Sequence, residues 1–520
     1  MRYFFPLFLL FSCLLTILPG CEPKENLVQT SGSLELQADT VLFDTVFTTI
    51  RTVTKRLWVY NRNSGAIKTD VSLGGTAGPT YSLIINGDAG PSTSGVTIRG
   101  KDSLLVLVRA VLGDNGQATT ARKFLVTDEL HFRTNGTDQI AHLVAYGQNA
   151  YFHRADIING NSTTVWRNDK PHVIINSPVA QAGGPVSVGV YVEAGSTLLI
   201  QPGARIYCHA GATMQINGTL KINPTFNPPT NDTTAAKLAT VRFQGDRLET
   251  GYAEIPGQWG GIFFTSSSRD NVIRYTEIKN ANFGTSLLNT QNNARQPDLL
   301  LENVVMRNIS GSNPAYVGTG QPPGGIVGVL SNITATNCLF SNCGEYAVLG
   351  FGGTFNLNFC TFANYTPSFR RETSSLTFTN QLTDASGAVR KLPFVLNLTN
   401  SIVWGSFEDE LFLQNNADPN YTFTIRNTLL RTKEYLAATD AAGKPGLGAP
   451  ALANLINIDP SFKRTPLNSN RPDYRLQNTS PATMPRRPKA PDTSVPSIDL
   501  PNMTRTNNLN TPSLGAYEHK

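Results

Sequence analysis

An acidic run close to two aromatic residues is the part of this sequence whose residue types best suit chemistry. Glu408, Asp409 and Glu410 are consecutive and follow shortly after Trp404 and Phe407. Carboxylates that converge in one groove can act as general acid, general base or nucleophile on a glycosidic bond. An aromatic ring beside them can instead hold a sugar without any reaction. A solvated loop explains the same run more simply, so we keep Trp404, Glu408, Asp409 and Glu410 as candidate glycan-binding residues and assign no catalytic residue.

Sequence motifs for several other chemistries are missing. The chain has no nucleophile elbow, phosphate-binding loop or HExxH motif. It has no CxxC pair and no histidine spacing typical of a zinc site, so we expect neither a metal nor a cofactor. The net charge of +6 is not concentrated in basic clusters, which argues against a nucleic-acid partner.

The composition indicates which elements must position the candidate residues. Only 15% of the residues are charged, and the chain contains 44 Gly and 32 Pro. This balance argues against helical bundles and coiled coils, which depend on Ala, Leu, Glu, Lys and Arg. It is typical of many short strands closed by Gly, Asn and Pro turns, and it therefore predicts an all-β protein.

The N-terminus has the features of a secretory signal. Met1-Arg2 precedes an apolar run that ends at Leu18 and is too short to span a bilayer comfortably. The following Leu-Pro-Gly-Cys21 resembles the lipobox of bacterial lipoproteins, in which the cysteine becomes the lipidated first residue of the mature chain. The resemblance implies a signal peptide over 1–20, a tether over 21–29 and a lipid anchor on Cys21 that binds the membrane. We therefore expect an outer-membrane lipoprotein of a bacterial cell envelope, and the acidic start of the tether favours the outer face.

Four cysteines remain in the mature chain beyond the anchor. An exported protein can form disulfides, and four cysteines allow three connectivities, which the sequence leaves open. Cys338 and Cys360 occupy the same position in two consecutive segments of the repeat described below. If these segments stack, the two side chains are neighbours and form either an apolar ladder or a disulfide. The four cysteines are Cys208, Cys338, Cys343 and Cys360.

Residues 30–152 are predicted to form an antiparallel β-sandwich. Turn signals recur about every ten residues, and the segments between them alternate polar and apolar residues. The predicted strands are Lys55–Asn61, Lys68–Leu73, Tyr81–Asn86, Asp102–Val111, Glu129–Arg133 and Ile140–Tyr146. Their order resembles immunoglobulin-like domains of the ASPM–SPD-2–hydin type, which are usually spacers or adhesion modules. Three single histidines, His131, His142 and His153, are interpreted as ordinary strand or loop residues.

From about residue 173 the sequence repeats a short strand followed by a turn. Six segments align: Ile273–Asn280, Leu301–Asn308, Ala335–Asn342, Leu357–Asn364, Leu398–Gly405 and Ile425–Thr432. Their sixth positions are all apolar, namely Ile278, Met306, Phe340, Phe362, Val403 and Leu430, and four third positions are Asn303, Asn337, Asn400 and Asn427. Strands this short cannot bury a face alone, so successive coils must stack through parallel hydrogen bonds. Because Asn tolerates the left-handed backbone conformation, the aligned Asn residues are predicted to turn a corner of each coil.

These repeats resemble the right-handed parallel β-helix proteins of the pectin-lyase-like superfamily. Ile458–Phe462, Ser480–Ala482 and Pro512–Glu518 strengthen the resemblance, because they look like the terminal signature of secreted β-helix proteins. The resemblance implies an N-terminal antiparallel β-sandwich followed by a right-handed single-stranded parallel β-helix over 173–480. The proline-rich residues 481–520 are predicted to be a capping tail that covers an exposed end of the coils.

Three functions follow from the resemblance. The superfamily contains lyases, which join acidic calcium ligands to a Lys or Arg base, and hydrolases, which use two or three Asp. Neither set is recognisable in the repeats, so the leading interpretation is a non-catalytic envelope lipoprotein whose β-helix presents a surface for a glycan or a protein. One alternative is a polysaccharide lyase or glycosidase, with calcium needed only by a lyase, and the other is an adhesion or structural surface protein. An Arg or Lys that meets Glu408, Asp409 or Glu410 within a groove would favour the enzyme.

Overall fold

The computed structural model describes most of the chain. The described residues are 27–113, 123–179, 186–289, 292–310, 324–368, 370–383, 387–414, 418–440, 444–483, 495–505 and 512–519. β-Strands dominate them, which confirms the all-β prediction. The predicted signal peptide and Cys21 lie outside these residues. Within the described part of the chain, no helix has the length and apolar character needed to cross a membrane.

The chain divides into two compact units, and the first, residues 1–149, contains a sandwich of two sheets. Its strands are β1 (Glu35–Leu36), β2 (Thr40–Phe47), β3 (Lys55–Tyr60), β4 (Ile67–Leu73), β5 (Tyr81–Ile85), β6 (Asp88–Gly90), β7 (Ser92–Ile98), β8 (Ser103–Ala110), β9 (Lys123–Thr134) and β10 (Thr137–Gln148). One sheet has the order β1-β3-β8-β5-β6 and the other β2-β10-β9-β4-β7. β2 pairs with β10 in parallel, while the neighbouring ladders are antiparallel. The six predicted strands correspond to β3, β4, β5, β8, β9 and β10.

The second unit, residues 150–520, is a long parallel sheet wound into coils. Its first strands are β11 (Tyr151–Arg154), β12 (Asp156–Ile158), β13 (Thr163–Trp166), β14 (His172–Ile175), β15 (Ser177–Val179), β16 (Val186–Val188), β17 (Val190–Val192), β18 (Thr197–Ile200), β19 (Arg205–Cys208), β20 (Thr213–Ile216), β21 (Thr219–Ile222), β22 (Val241–Gly245), β23 (Gly261–Phe264), β24 (Asn271–Lys279) and β25 (Thr285–Leu288). One short helix, α1 (Thr233–Ala239), interrupts them.

The later strands continue the same winding and end in a hairpin. They are β26 (Asp298–Ile309), β27 (Gly324–Thr336), β28 (Leu339–Cys343), β29 (Tyr346–Asn358), β30 (Thr361–Asn364), β31 (Leu376–Thr379), β32 (Gln381–Thr383), β33 (Val389–Lys391), β34 (Phe394–Thr399), β35 (Ile402–Gly405), β36 (Leu411–Gln414), β37 (Tyr421–Arg426), β38 (Leu429–Leu430), β39 (Leu455–Ile456), β40 (Phe462–Arg464) and β41 (Asp473–Leu476). β15–β16, β32–β33 and β40–β41 are antiparallel hairpins outside the coils.

The register of the coils confirms the repeat alignment. The six sixth-position residues follow one another as paired residues of neighbouring strands, and all six are buried. The rings of Phe340 and Phe362 stack with their centroids 5.0 Å apart, close to the strand spacing of about 4.8 Å. The second unit is therefore a parallel β-helix. Its coils begin at Tyr151, which the sequence-based prediction placed in the last two residues of the sandwich and 22 residues before the predicted start of the β-helix.

The corner prediction is also confirmed. Asn303, Asn337, Asn400 and Asn427 have φ between 50° and 55°. The third positions of the other two repeats are Tyr275 and Phe359, with φ of 43° and 51°. Because Asn adopts this left-handed conformation more readily than other residues with a Cβ, the shape of the corner explains why Asn recurs there.

The four cysteines of the β-helix are free thiols. All four are buried. Cys338 and Cys360 interact through their side chains, and burial raises the pKa of the Cys338 thiol well above its ordinary value. Of the two arrangements that the sequence allowed for this pair, the structure shows the apolar ladder and not the disulfide.

The C-terminal tail lies along the side of the coils. The side-chain amide of Asn303 donates to the carbonyl oxygen of Asp499 at 2.8 Å, and that of Asn337 donates to the carbonyl oxygen of Ile498 at 2.8 Å. The buried guanidinium of Arg505 donates in turn to Asn337 Oδ1 at 2.7 Å. The described parts of the tail thus cover a flank of the helix, in place of the end that the sequence analysis assigned to them.

The first coil is closed by three stacked aromatic rings. The centroids of His153, Trp166 and His172 are 4.1 to 5.2 Å apart, and all three side chains are buried. His172 Nε2 lies 2.7 Å from the carbonyl oxygen of Arg167, His172 Nδ1 lies 2.9 Å from His153 Nε2, and His153 Nδ1 lies 2.7 Å from Asp156. A carbonyl oxygen only accepts, so His172 donates through Nε2 and, when neutral, accepts at Nδ1. His153 Nε2 then donates to His172, and the hydrogen bond between His153 Nδ1 and Asp156 lowers the pKa of that carboxyl group.

Candidate functional site

The predicted site residues do not converge on one place, and Trp404 lies apart from the others. Trp404 points outward from β35, but the C-terminal segment covers it, and it belongs to an apolar cluster with Ile402, Tyr474 and Leu514. The guanidinium carbon of Arg431 lies 5.3 Å from the centroid of its ring. Since Trp404 is buried, its ring is not available for stacking on a sugar.

Glu410 is a structural residue of the core. It forms an ion pair with Arg371 at 2.6 Å, and the side chains of Arg371 and Glu410 are 1% and 0% exposed. Glu410 also accepts hydrogen bonds from the hydroxyl of Ser375 and, at 2.9 Å, from the backbone N–H of Phe407. The pair therefore links successive coils and holds the loop that carries Phe407, but no substrate can reach it.

Glu408 and Asp409 lie on the surface of this loop. Glu408 pairs with the exposed Lys433. Asp409 Oδ1 accepts hydrogen bonds from the hydroxyl of Thr432 at 3.0 Å and from the backbone N–H groups of Lys433 and Glu434 at 2.6 and 2.9 Å. Asp409 therefore links the loop that carries Phe407 to the loop that carries Glu434. An open groove lies between these two loops.

This groove, which we call the aromatic groove, has a volume of about 720 Å³. The predicted residue Asp409 lines it, together with a set of residues that the sequence analysis did not select. The main ones are Tyr346, Glu372, Phe407, Phe412, Glu434, Tyr435 and Lys444. Aromatic rings beside carboxylates are thus present, but they are a different set from the one predicted.

Stacked coils build the floor of the aromatic groove. Leu349, Thr377 and Phe412 are paired residues of β29, β31 and β36, and they point outward. Leu349 is buried and Thr377 half-buried, whereas Phe412 is 47% exposed. The ring of Phe412 therefore forms an open apolar platform. Its signal in the sequence was an apolar residue at an outward position of the short strand Leu411–Gln414.

The walls of the aromatic groove carry polar groups in defined positions. Glu434 pairs with Lys444 across it. The hydroxyl of Tyr435 accepts the backbone N–H of Leu413 at 2.9 Å, and burial raises the pKa of this phenol. Glu345, next to Tyr346, is half-buried, and burial raises the pKa of its carboxyl group.

The described residues contain no group of three or more His, Cys, Asp and Glu side chains that could hold a metal ion. The aromatic groove offers carboxylates and aromatic rings, with one lysine that already has a partner. Such a surface can bind polyhydroxylated ligands, because the carboxylates accept hydrogen bonds from hydroxyl groups and the rings contact apolar faces.

Comparison with known proteins gives no family. No family model and no curated protein matches the chain. Among solved structures, a family 123 glycoside hydrolase from Clostridium perfringens, studied for glycolipid glycan hydrolysis, is 8% identical over 25% of this chain and 26% of its own length, with a TM-score of 0.15. The chain thus spans about a quarter of that protein. The catalytic domain of a GH87 α-1,3-glucanase in complex with nigerose is 10% identical over 73% of this chain and 92% of its own, with a TM-score of 0.14. Likenesses this distant carry no argument about activity.

Proposed function

We propose that this protein is an envelope lipoprotein, anchored through Cys21, whose β-helix binds a glycan in the aromatic groove without cleaving it. The observation that carries the proposal is the exposed ring of Phe412 in a groove lined by Asp409 and Glu434. A sugar ring can lay its C–H face on such a ring while its hydroxyl groups donate to the carboxylates. In this proposal the first unit is an immunoglobulin-like spacer that separates the glycan-binding coils from the outer membrane.

Replacing Phe412 by Ala is expected to weaken glycan binding at least tenfold, which corresponds to about 1.4 kcal/mol. The substitution removes the platform but little buried contact, because half of the side chain is already exposed. A glycan panel, screened with the full-length protein in detergent, identifies the ligand, and titration of the best ligand then compares wild type with F412A.

Tyr146→Ala is the matched control for this experiment. Tyr146 is an aromatic residue on a strand of the first unit and is 42% exposed, so its loss changes surface hydrophobicity to a similar extent far along the chain from the groove. Equal affinities of wild type, Y146A and F412A would place the glycan elsewhere. Binding to no member of the panel would contradict the proposal.

A glycosidase is the second candidate, and one observation favours it. The carboxylate of Glu345 accepts a hydrogen bond at 3.4 Å from Thr373, a residue that lines the aromatic groove. Burial raises the pKa of Glu345, which is the property that a carboxylic acid needs to protonate a leaving group. The same panel tests this alternative through the release of reducing sugar. If wild type released sugar and Glu345→Gln did not, the protein would be an enzyme. Glu35→Gln, at an exposed carboxylate of the first unit, is the control for charge.

A further inference from the structure

A second cleft lies where the C-terminal tail meets the coils, and its charge is opposite to that of the aromatic groove. It has a volume of about 790 Å³. Its walls come from α1, from the hairpin β40–β41 and from the tail up to His519, which are far apart in the sequence. Four basic side chains line it: Lys237, Lys463, Arg475 and His519.

The two carboxylates that border this basic cleft are already engaged. Asp499 accepts the backbone N–H groups of Met503 at 2.6 Å and of Glu518 at 2.9 Å. Glu518 pairs with the fully buried Arg505 at 3.4 Å. Both acids are therefore engaged in contacts within the tail.

The basic side chains differ in how far they are neutralised. Asp473 holds the guanidinium of Arg475 at 2.6 Å. Lys237 and Lys463 are exposed, and their ammonium groups make no hydrogen bond or ion pair with any residue that the structure describes. Lys391, Lys433 and Lys444, by contrast, each pair with a carboxylate.

The apolar part of the wall strengthens the field of these cations. Leu476 is buried, and Pro501, Met503 and Tyr517 complete the lining. A concave surface with low-dielectric walls and one sign of free charge concentrates counter-ions. We propose that this basic cleft binds the oxyanion group of an anionic ligand, a carboxylate, sulfate or phosphate, with the ammonium groups of Lys237 and Lys463 as its ligands.

Titration of the full-length protein in detergent with sodium glucuronate, sodium sulfate and sodium phosphate tests this site. Ionic strength is kept constant with sodium chloride, and binding is measured by calorimetry. Wild type should bind at least one of the three anions saturably, and Lys237→Ala/Lys463→Ala should bind it at least tenfold more weakly. Lys391→Ala/Lys433→Ala removes the same charge from paired lysines and should bind like wild type.

The outcomes separate the ligand classes and also decide the proposal. Preference for glucuronate supports an acidic polysaccharide, whereas preference for sulfate or phosphate supports a ligand that carries that ester. Equal affinities of the two double variants, or no saturable binding of any of the anions, would overturn the site. Lys237→Gln/Lys463→Gln replaces the Ala pair if circular dichroism shows that the Ala pair does not fold. Anion binding in the basic cleft is tested independently of glycan binding in the aromatic groove. F412A should lose glycan binding and keep anion binding, because Phe412 does not line the basic cleft.

Discussion

Replacing Arg371 by Met is expected to lower the free energy of unfolding by about 3–5 kcal/mol, since it leaves a fully buried carboxylate without its cation. The hydroxyl of Ser375 and the N–H of Phe407 would still bind Glu410, but neither carries a charge. Arg371 also donates to the carbonyl oxygens of Thr373 at 2.5 Å and of Asn364 at 3.1 Å, and both hydrogen bonds would be lost. Denaturant unfolding, followed by circular dichroism, measures the loss.

The neighbouring residue supplies a matched control. Arg370 is 91% exposed and lies 3.6 Å from Glu372, so Arg370→Met should change stability by no more than about 0.5 kcal/mol. Arg371→Met/Glu410→Leu removes both charges and should recover most of the loss, because an apolar pair can replace a buried ion pair at little cost. If R371M and R370M unfolded at the same denaturant concentration, Glu410 would not be a buried charged group.

The same ion pair supports the aromatic groove, so R371M should also weaken glycan binding. Glu410 orients the loop from Phe407 to Asp409, and Asp409 in turn binds the loop that carries Glu434. Losing the pair frees both walls of the groove at once. In R371M/E410L the fold should recover more completely than glycan affinity, because Leu cannot accept the N–H of Phe407.

The repeats could be predicted from the sequence because every coil imposes the same demands. An inward position such as that of Met306 or Phe340 must be apolar in each turn, and a corner such as that of Asn337 must accept positive φ. These demands recur at equivalent positions, so they leave an alignable pattern whatever the length of the loops between them. The first unit has no such repetition, and its edge strands β1, β2, β6 and β7 were not predicted.

The candidate site could be predicted only in part, since contacts between distant residues decide which charges and rings are exposed. In the sequence, Glu410 belongs to an acidic run that a solvated loop would explain. In the structure it is buried against Arg371, which lies 39 residues earlier in the chain. Trp404 does point outward, but the tail that covers it comes from much later in the chain. Phe412 is exposed because none of the later segments that the structure describes covers its position. Of the four predicted residues, Asp409 alone lines the aromatic groove.

The stability of the second unit is expected to fall as the pH is lowered from about 6.5 to 4, because of His172. Burial lowers the pKa of this histidine from 6.5 to about 4. In this window the unfolded chain takes up a proton at His172 and the folded chain does not, so acid favours unfolding. A shift of this size corresponds to about 3 kcal/mol across the window. Burial is the main cause, because it removes water from the charged form of the ring, and a proton on His172 Nδ1 would also face His153 Nε2, 2.9 Å away.

A variant that cannot titrate isolates this contribution. His172→Gln keeps one donor and one acceptor and should reduce the slope of unfolding free energy against pH, whereas the exposed His142, when replaced by Gln, should leave the slope as in wild type. The comparison is needed because His209 changes stability with pH in the opposite direction. The hydrogen bond to Asp246 raises the pKa of His209. Its contribution to the free energy of unfolding is therefore present at low pH and is lost as the pH rises. His209 is half-exposed, and solvent screening makes its effect the smaller one. An unchanged slope in H172Q would mean that the burial of a neutral His172 in the first coil does not cause the pH dependence.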